Sequence, residues 1–207
     1  MTSSAAVSQF SELIATCGAE ARELPLDRSC LLISAVYDES VDVAKHLSRL
    51  DDFAATAHAT AAGTDSYAMI GSVLRTLFGD GGFRGNDRTY DEPANSLLSS
   101  VIERRVGIPI TLSIVLMEVS RRVGLPLEGV GLPGHFVVRF PDPTSRLYID
   151  PFRSGAILDT VGCVELVERI YHRRLTWRDD FLAPLTSRAI VKRVLLNLKN
   201  SLSQAKD

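Results

Sequence analysis

Residues 104–126, RRVGIPITLSIVLMEVSRRVGLP, decide how the rest of the chain is read. The stretch opens on Gly107-Ile108-Pro109 and closes on Gly124-Leu125-Pro126, with fourteen mostly apolar residues between. Proline is favoured at the first position of a helix, where a missing N–H deprives nothing, and glycine is favoured just past the end. The phrase therefore predicts a turn, a helix starting at Pro109 and a second turn. Its apolar positions do not keep to one stripe, as expected of a central helix covered on several sides.

Upstream, apolar residues recur at helical spacing. Phe10, Leu13 and Ile14 mark one helix, and Leu31, Leu32, Ala35 and Val36 a second. A third, from about Val41, places Val43, Ala44, Leu47, Leu50, Ala54 and Ala57 on one stripe. The fourth, from about Ser66, carries Ile70, Val73, Leu74, Leu77 and Phe78 and is expected to stop at Gly79. Residues 78–96, FGDGGFRGNDRTYDEPANS, are rich in Gly, Asn, Asp and Pro and read as a long loop. Asn95 or Ser96 is placed to cap the helix that follows, up to Arg105.

Downstream the period changes to that of strands, in runs at 127–132, 136–140 and 147–149, separated by Pro133-Gly134 and by Pro141-Asp142-Pro143. A helix from about Val164 to Tyr171 and another from about Arg188 to Ser203 complete the pattern. The fold class is α+β: a helical N-terminal half, then a central helix on a small antiparallel sheet, then a C-terminal helix. Three parts are expected, at 1–80, 81–185 and 186–207.

Composition narrows the function classes. The 207 residues are 45% hydrophobic and 23% charged, enough for one substantial core. A net charge of −2 gives no reason to expect nucleic acid as a partner. No run reaches the roughly 18 apolar residues of a membrane span, and the N-terminus lacks the basic start of a signal peptide. Cys17, Cys30 and Cys163 are odd in number and widely spaced, so neither a disulfide framework nor a metal site is expected. No cofactor is expected either, and a cytoplasmic protein fits best.

The residues that could carry chemistry are few. His135 opens one strand and Asp150 ends the next, so antiparallel pairing would let the carboxylate orient the imidazole. Between the loop and these strands the central helix carries three hydroxyls, Thr111, Ser113 and Ser120. The pairs Arg104-Arg105 and Arg121-Arg122 read as solvated helix ends. His46 and His58, twelve residues apart, read as surface groups, since a metal pair on a helix needs i, i+4 spacing.

Tyr90 to Phe152, with the phrases Gly107-Ile108-Pro109, Leu132-Pro133-Gly134-His135-Phe136 and Ile149-Asp150-Pro151-Phe152, resembles the transglutaminase-like superfamily in its bacterial SirB-type branch. That branch is also similar to a domain of certain eukaryotic F-box proteins. The resemblance implies a papain-like core with a Cys at the start of the central helix, a His on one strand and an Asp on the next. His135 and Asp150 match the last two. Counting back from Gly124, the Cys position falls on Pro109, which attacks nothing.

A binding or regulatory module without the cysteine chemistry is therefore the leading expectation. Its pocket would lie between helix and sheet and draw on Pro109, Thr111, Asn95, Gly134 and Phe136. The alternative is a hydrolase or acyl transferase with Ser113 as nucleophile, His135 as base and Asp150 as orienter. Ser113 lies one turn past Pro109 on the same face, about 6 Å along the axis, whereas Thr111 points about 200° away. The tail is similar to the start of the tetratricopeptide segment that follows in longer relatives. It is expected to pack back on the domain, to continue into more chain, or to offer Val194, Leu195, Leu198 and Leu202 to a protein partner.

Overall fold

The computed structural model describes residues 1–142 and 144–205. Pro143 of the expected Pro141 to Pro143 turn, and the last two residues of the tail, lie outside the described residues.

The helix read from residues 104–126 is α6 (Pro109–Arg122), with Pro109 at its first position. Every residue from Pro109 to Ser120 is buried, so the helix is enclosed on all sides. Its end is a Schellman motif: Leu125 N–H donates to Ser120 O at 2.9 Å and Gly124 N–H to Arg121 O at 3.1 Å. That geometry requires the left-handed φ of +81° which Gly124 supplies.

The covering helices are α1 (Ser3–Ala19), α2 (Leu26–Tyr37), α3 (Val43–Thr60), α4 (Ser66–Leu74) and α5 (Leu98–Arg104). Of these, α2, α3, α4 and α5 touch α6 directly. Leu31, Leu50, Val73, Leu98 and Ile102 meet Leu112, Ile114 and Leu116 in the main core. The expected stop at Gly79 is corrected. The chain leaves α4 at Leu74 into a π-helical turn, Arg75–Asp80. The forced glycine is Gly81, whose Cβ would lie 2.2 Å from Thr76 O.

The expected loop at 78–96 is also more ordered than its composition indicates. Residues Arg84–Gly85 (β1) pair in parallel with Val106–Gly107 (β2), and Pro93–Ser96 form a 3-10 turn. Arg104 anchors the loop through a bidentate pair to Glu92, at 2.9 and 2.8 Å.

The sheet is an antiparallel meander of β3 (Glu128–Val130), β4 (Val137–Arg139), β5 (Tyr148–Asp150) and β6 (Ala156–Leu158). β3 and β4 are shorter than their apolar runs, and β6 was not expected. Alternate side chains face opposite ways along a strand. Val138 and Ile149 accordingly join the main core on α6. Val137 and Tyr148 join a second cluster with Cys163, Leu166 and Val167 of α7 (Thr160–Tyr171).

The last helix, α8 (Ser187–Gln204), packs back on the domain, against α2, α6 and the 3-10 turn. Ile190, Val191, Val194 and Leu198 are buried by it, while Leu195 and Leu196 stay exposed.

Two polar readings are corrected. His46 is not a surface group: it is 3% exposed, with Nδ1 donating to Asp42 O at 2.7 Å and Nε2 3.1 Å from Glu103 Oε1. Arg122 is not a solvated cap, because it reaches Asp27 Oδ2 at 2.7 Å, Glu118 Oε2 at 2.9 Å and Asp51 Oδ1 at 2.6 Å. Burial raises the Glu118 carboxyl above its usual value. For the neighbouring Asp27, burial pushes the same way but the hydrogen bonds from Arg122 and the Arg28 amide outweigh it, so its carboxyl sits below the usual value.

Candidate functional site

The start of α6 is fixed by a polar cluster beneath it. Thr111 Oγ1 accepts from Ile108 N–H at 3.2 Å and donates to Asn95 O at 2.8 Å. The Asn95 amide donates to Thr89 O at 2.7 Å and Tyr90 O at 3.1 Å, and its Oδ1 accepts from Asn86 Nδ2. Asn95 is thus no helix cap; the cap position of α5 is Leu97. Its amide is used inside the loop, which ties residues 86–96 to the first turn of α6.

His135 follows the turn Leu132-Pro133-Gly134-His135, closed by His135 N–H to Leu132 O at 3.2 Å. Proline second and a positive-φ glycine third are the type II pattern, and Gly134 has φ +70°. β4 and β5 then bring the imidazole to the carboxylate expected to orient it. Nε2 of His135 lies 3.0 Å from Asp150 Oδ1, and the same oxygen accepts Phe152 N–H at 3.0 Å. Asp150 is fully buried; its Oδ2 has no hydrogen bond among the described residues and sits 3.8 Å from Arg153 Nε. The Phe152 ring stands edge-on to His135, with centroids 5.8 Å apart, and is wedged against Gly85, where a Cβ would come within 2.6 Å of it.

With Nε2–H given to the carboxylate, the lone pair of a neutral ring lies on Nδ1. No partner for Nδ1 exists among the described residues, although His135 is only 6% exposed. The ring borders a cavity of about 180 Å³, whose wall includes Pro109 and Ile110 from α6 and Gly134 and Phe136 from the sheet side. Tyr90, Arg193 and Asn197 complete it. His135, paired with Asp150, therefore lines the same small cavity as the first residue of the central helix, and that residue is Pro109.

Of the five residues expected in the pocket, Pro109, Gly134 and Phe136 line this cavity. Thr111 and Asn95 do not; their polar atoms are engaged behind the wall. Ser113 does not line it either. One turn deeper, on a helix enclosed all round, it is completely buried and its Oγ has no hydrogen-bond partner among the described residues. None of the three cysteines lines the cavity either. Cys17, Cys30 and Cys163 are free and buried. Burial pushes the Cys30 thiol far up and that of Cys163 up to about 12, which keeps both protonated.

The residue that sequence reasoning missed is Arg193. Its Nη2 donates to His135 O at 2.7 Å and Leu132 O at 3.2 Å, and its guanidinium carbon lies 5.6 Å from the centre of the Phe136 ring. One signal was present: Arg193 and Asn197 are four apart and flank the buried stripe of Ile190, Val194 and Leu198. Among the described residues, no cluster of three His, Cys, Asp or Glu is placed to hold a metal, and no helix is long and apolar enough to cross a membrane.

Comparison with known proteins gives the family. A family model described as the transglutaminase-like superfamily matches residues 44–196, which include every residue of the cavity wall except Asn197. The UPF0162 protein of Xylella fastidiosa (strain 9a5c) is 43% identical over 135 residues, 62% of this chain and 47% of that protein. The UPF0162 protein of Pseudomonas aeruginosa is 31% identical over 186 residues, 89% of this chain and 68% of that one. Human F-box only protein 21 is 34% identical over 93 residues, 41% of this chain and 15% of its own. The matched part spans about half the length of the Xylella relative. No solved structure gives a significant match. The chain belongs to the transglutaminase-like superfamily.

Proposed function

We propose that this domain is a non-catalytic member of the superfamily, of the SirB-type branch, which uses the cavity beside His135 to bind rather than to transform. The observation that carries the reading is Pro109 in the wall of the cavity that His135, paired with Asp150, also lines. A thiol at the first turn of a helix beside an imidazole is activated by both, whereas a pyrrolidine ring offers no lone pair and no leaving proton. The cavity wall holds neither cysteine, serine nor threonine. Losing a triad nucleophile costs on the order of a millionfold in turnover, which makes a site without one inactive rather than slow.

Occurrence of the matched region as 15% of an F-box protein supports a module that works inside larger chains. The exposed Leu195 and Leu196 of α8 give a second surface, for a protein partner or for tetratricopeptide-type helices in the longer relatives. The serine alternative requires Ser113 Oγ to reach His135, and that hydroxyl is enclosed in the core. A fluorophosphonate probe and iodoacetamide test the reading on the native chain. No stoichiometric adduct is expected with either; an adduct on one residue that disappears in His135→Gln would overturn it.

A further inference from the structure

Arg193 has no counter-ion among the described residues. Among the described residues it pairs with no carboxylate, although it lies in the cavity wall and only Nη2 is engaged, by two carbonyls. The Nε and Nη1 hydrogens have no acceptor among the same residues. Taking a charge out of water without a partner is costly, and burial holds the Arg193 pKa below the usual arginine value.

The other groups on the wall point to the same kind of occupant. The hydroxyl of the partly exposed Tyr90 and the carboxamide of Asn197 have no partner among the described residues, and both can donate to an anion. Ile110 belongs to the first turn of α6, whose N–H groups lack intrahelical acceptors and contribute positive potential. No Asp or Glu lies in the wall. Asp150 stands behind His135 and does not line the wall; its Oδ1 accepts from the ring and from Phe152 N–H.

We propose that the cavity is a carboxylate-binding site, with the Arg193 guanidinium as counter-ion and Tyr90 and Asn197 as neutral hydrogen-bonding partners. One guanidinium with neutral neighbours matches a single negative charge, and its planar fork matches a carboxylate. A phosphate dianion would call for more positive charge than the wall supplies. The volume of about 180 Å³ admits a group near the size of one amino-acid residue, equal to about six waters of bulk liquid. The carboxylate belongs to a small acid or to the C-terminus of a polypeptide. The proposal rests on reading the cavity as a binding site, and it specifies what is bound there.

Titration calorimetry on the 207-residue chain tests it with N-acetylglycine, N-acetylglycinamide, acetate, inorganic phosphate, and a pentapeptide with a free or amidated C-terminus. The acid is expected to bind at least tenfold more tightly than its amide, and phosphate more weakly than the acid. Arg193→Met keeps the stem on Phe136 and should cost tenfold or more. Because Arg193 also holds the 132–135 turn, Asn197→Trp, which fills the cavity and leaves Arg193 intact, is the second variant, with the same loss expected.

A free-ended pentapeptide binding tenfold better than acetate identifies a chain terminus as the source; acetate and N-acetylglycine binding better than the pentapeptide identify a small acid. Equal binding of acid and amide, preference for phosphate, or undiminished binding by Asn197→Trp overturns the proposal. A His135-dependent covalent adduct overturns the non-catalytic reading alone and leaves carboxylate recognition standing, so the two fail separately.

Discussion

Replacing Pro109 by cysteine puts a thiol at the first position of α6, in the wall of the cavity that His135 also lines. If only the nucleophile is missing, that thiol should acquire the low pKa of its setting. A cysteine with the ordinary pKa of about 8.5 is about 0.3% ionised at pH 6, whereas one lowered to about 6 is half ionised, a gain of about 150-fold in thiolate. Nucleophilicity falls as pKa falls, and a Brønsted slope of about 0.45 over 2.5 units returns about 13-fold of this, leaving a net gain of about 12-fold.

The assay is iodoacetamide alkylation at pH 6, followed by mass spectrometry, comparing Pro109→Cys with the double variant Pro109→Cys/His135→Gln. Glutamine retains an N–H for Asp150 while removing the base. The native thiols give a low background, since Cys17, Cys30 and Cys163 are 4%, 1% and 0% exposed. Loss of proline at the first helical position costs on the order of 1 kcal/mol through the unfolded chain, so a small drop in Tm accompanies the gain. An introduced thiol titrating at or above about 8.5, with the same alkylation rate in both variants, would refute the claim that the scaffold around the missing nucleophile is intact.

Two further outcomes follow from the buried polar clusters. Thr111→Val strands Ile108 N–H and Asn95 O in the interior and should lower stability by about 1–3 kcal/mol in urea unfolding, together with faster hydrogen exchange in residues 86–96; an unchanged midpoint would mean that the hydroxyl is not what holds the helix start. Asp27→Asn removes one of the three carboxylates around Arg122, for a loss of about 1.5–3 kcal/mol at pH 7. The Asp27 pKa is lowered by folding, so its contribution is present above the unfolded-state carboxylate pKa and fades as pH falls through the folded one. The difference between Asp27→Asn and the native chain should accordingly shrink from pH 7 to pH 3, and a constant difference would contradict the assignment.

Much of this was legible because it is local. Proline at the start of α6 and glycine after its end are decided by backbone sterics within a few residues, and apolar spacing located most of the helices. The type II turn and the two short strands that bring His135 to Asp150 are also local, since only 15 residues separate the pair. Arg193 carried only its spacing to Asn197 beside the buried stripe, because its carbonyl acceptors are 58 and 61 residues away. His46 and Arg122 were misjudged for the same reason: their partners, Glu103 and Asp27, are 57 and 95 residues distant. Asn95 carried a true capping signal that lost to the competing acceptors Thr89 O and Tyr90 O.

The enclosure of α6 has one more consequence. The two faces of the cavity come from a helix and a sheet that share one packed core, with Leu112 and Ile114 on one side and Val138 and Ile149 on the other. Close-packed interiors resist compression and shear. The distance between Pro109 and His135 is therefore fixed by that core, and the side-chain freedom left in the wall is that of the partly exposed Tyr90, Arg193 and Asn197. The proposed carboxylate site should therefore select by shape and charge, and its specificity should survive large changes in temperature and in the chain attached to either end.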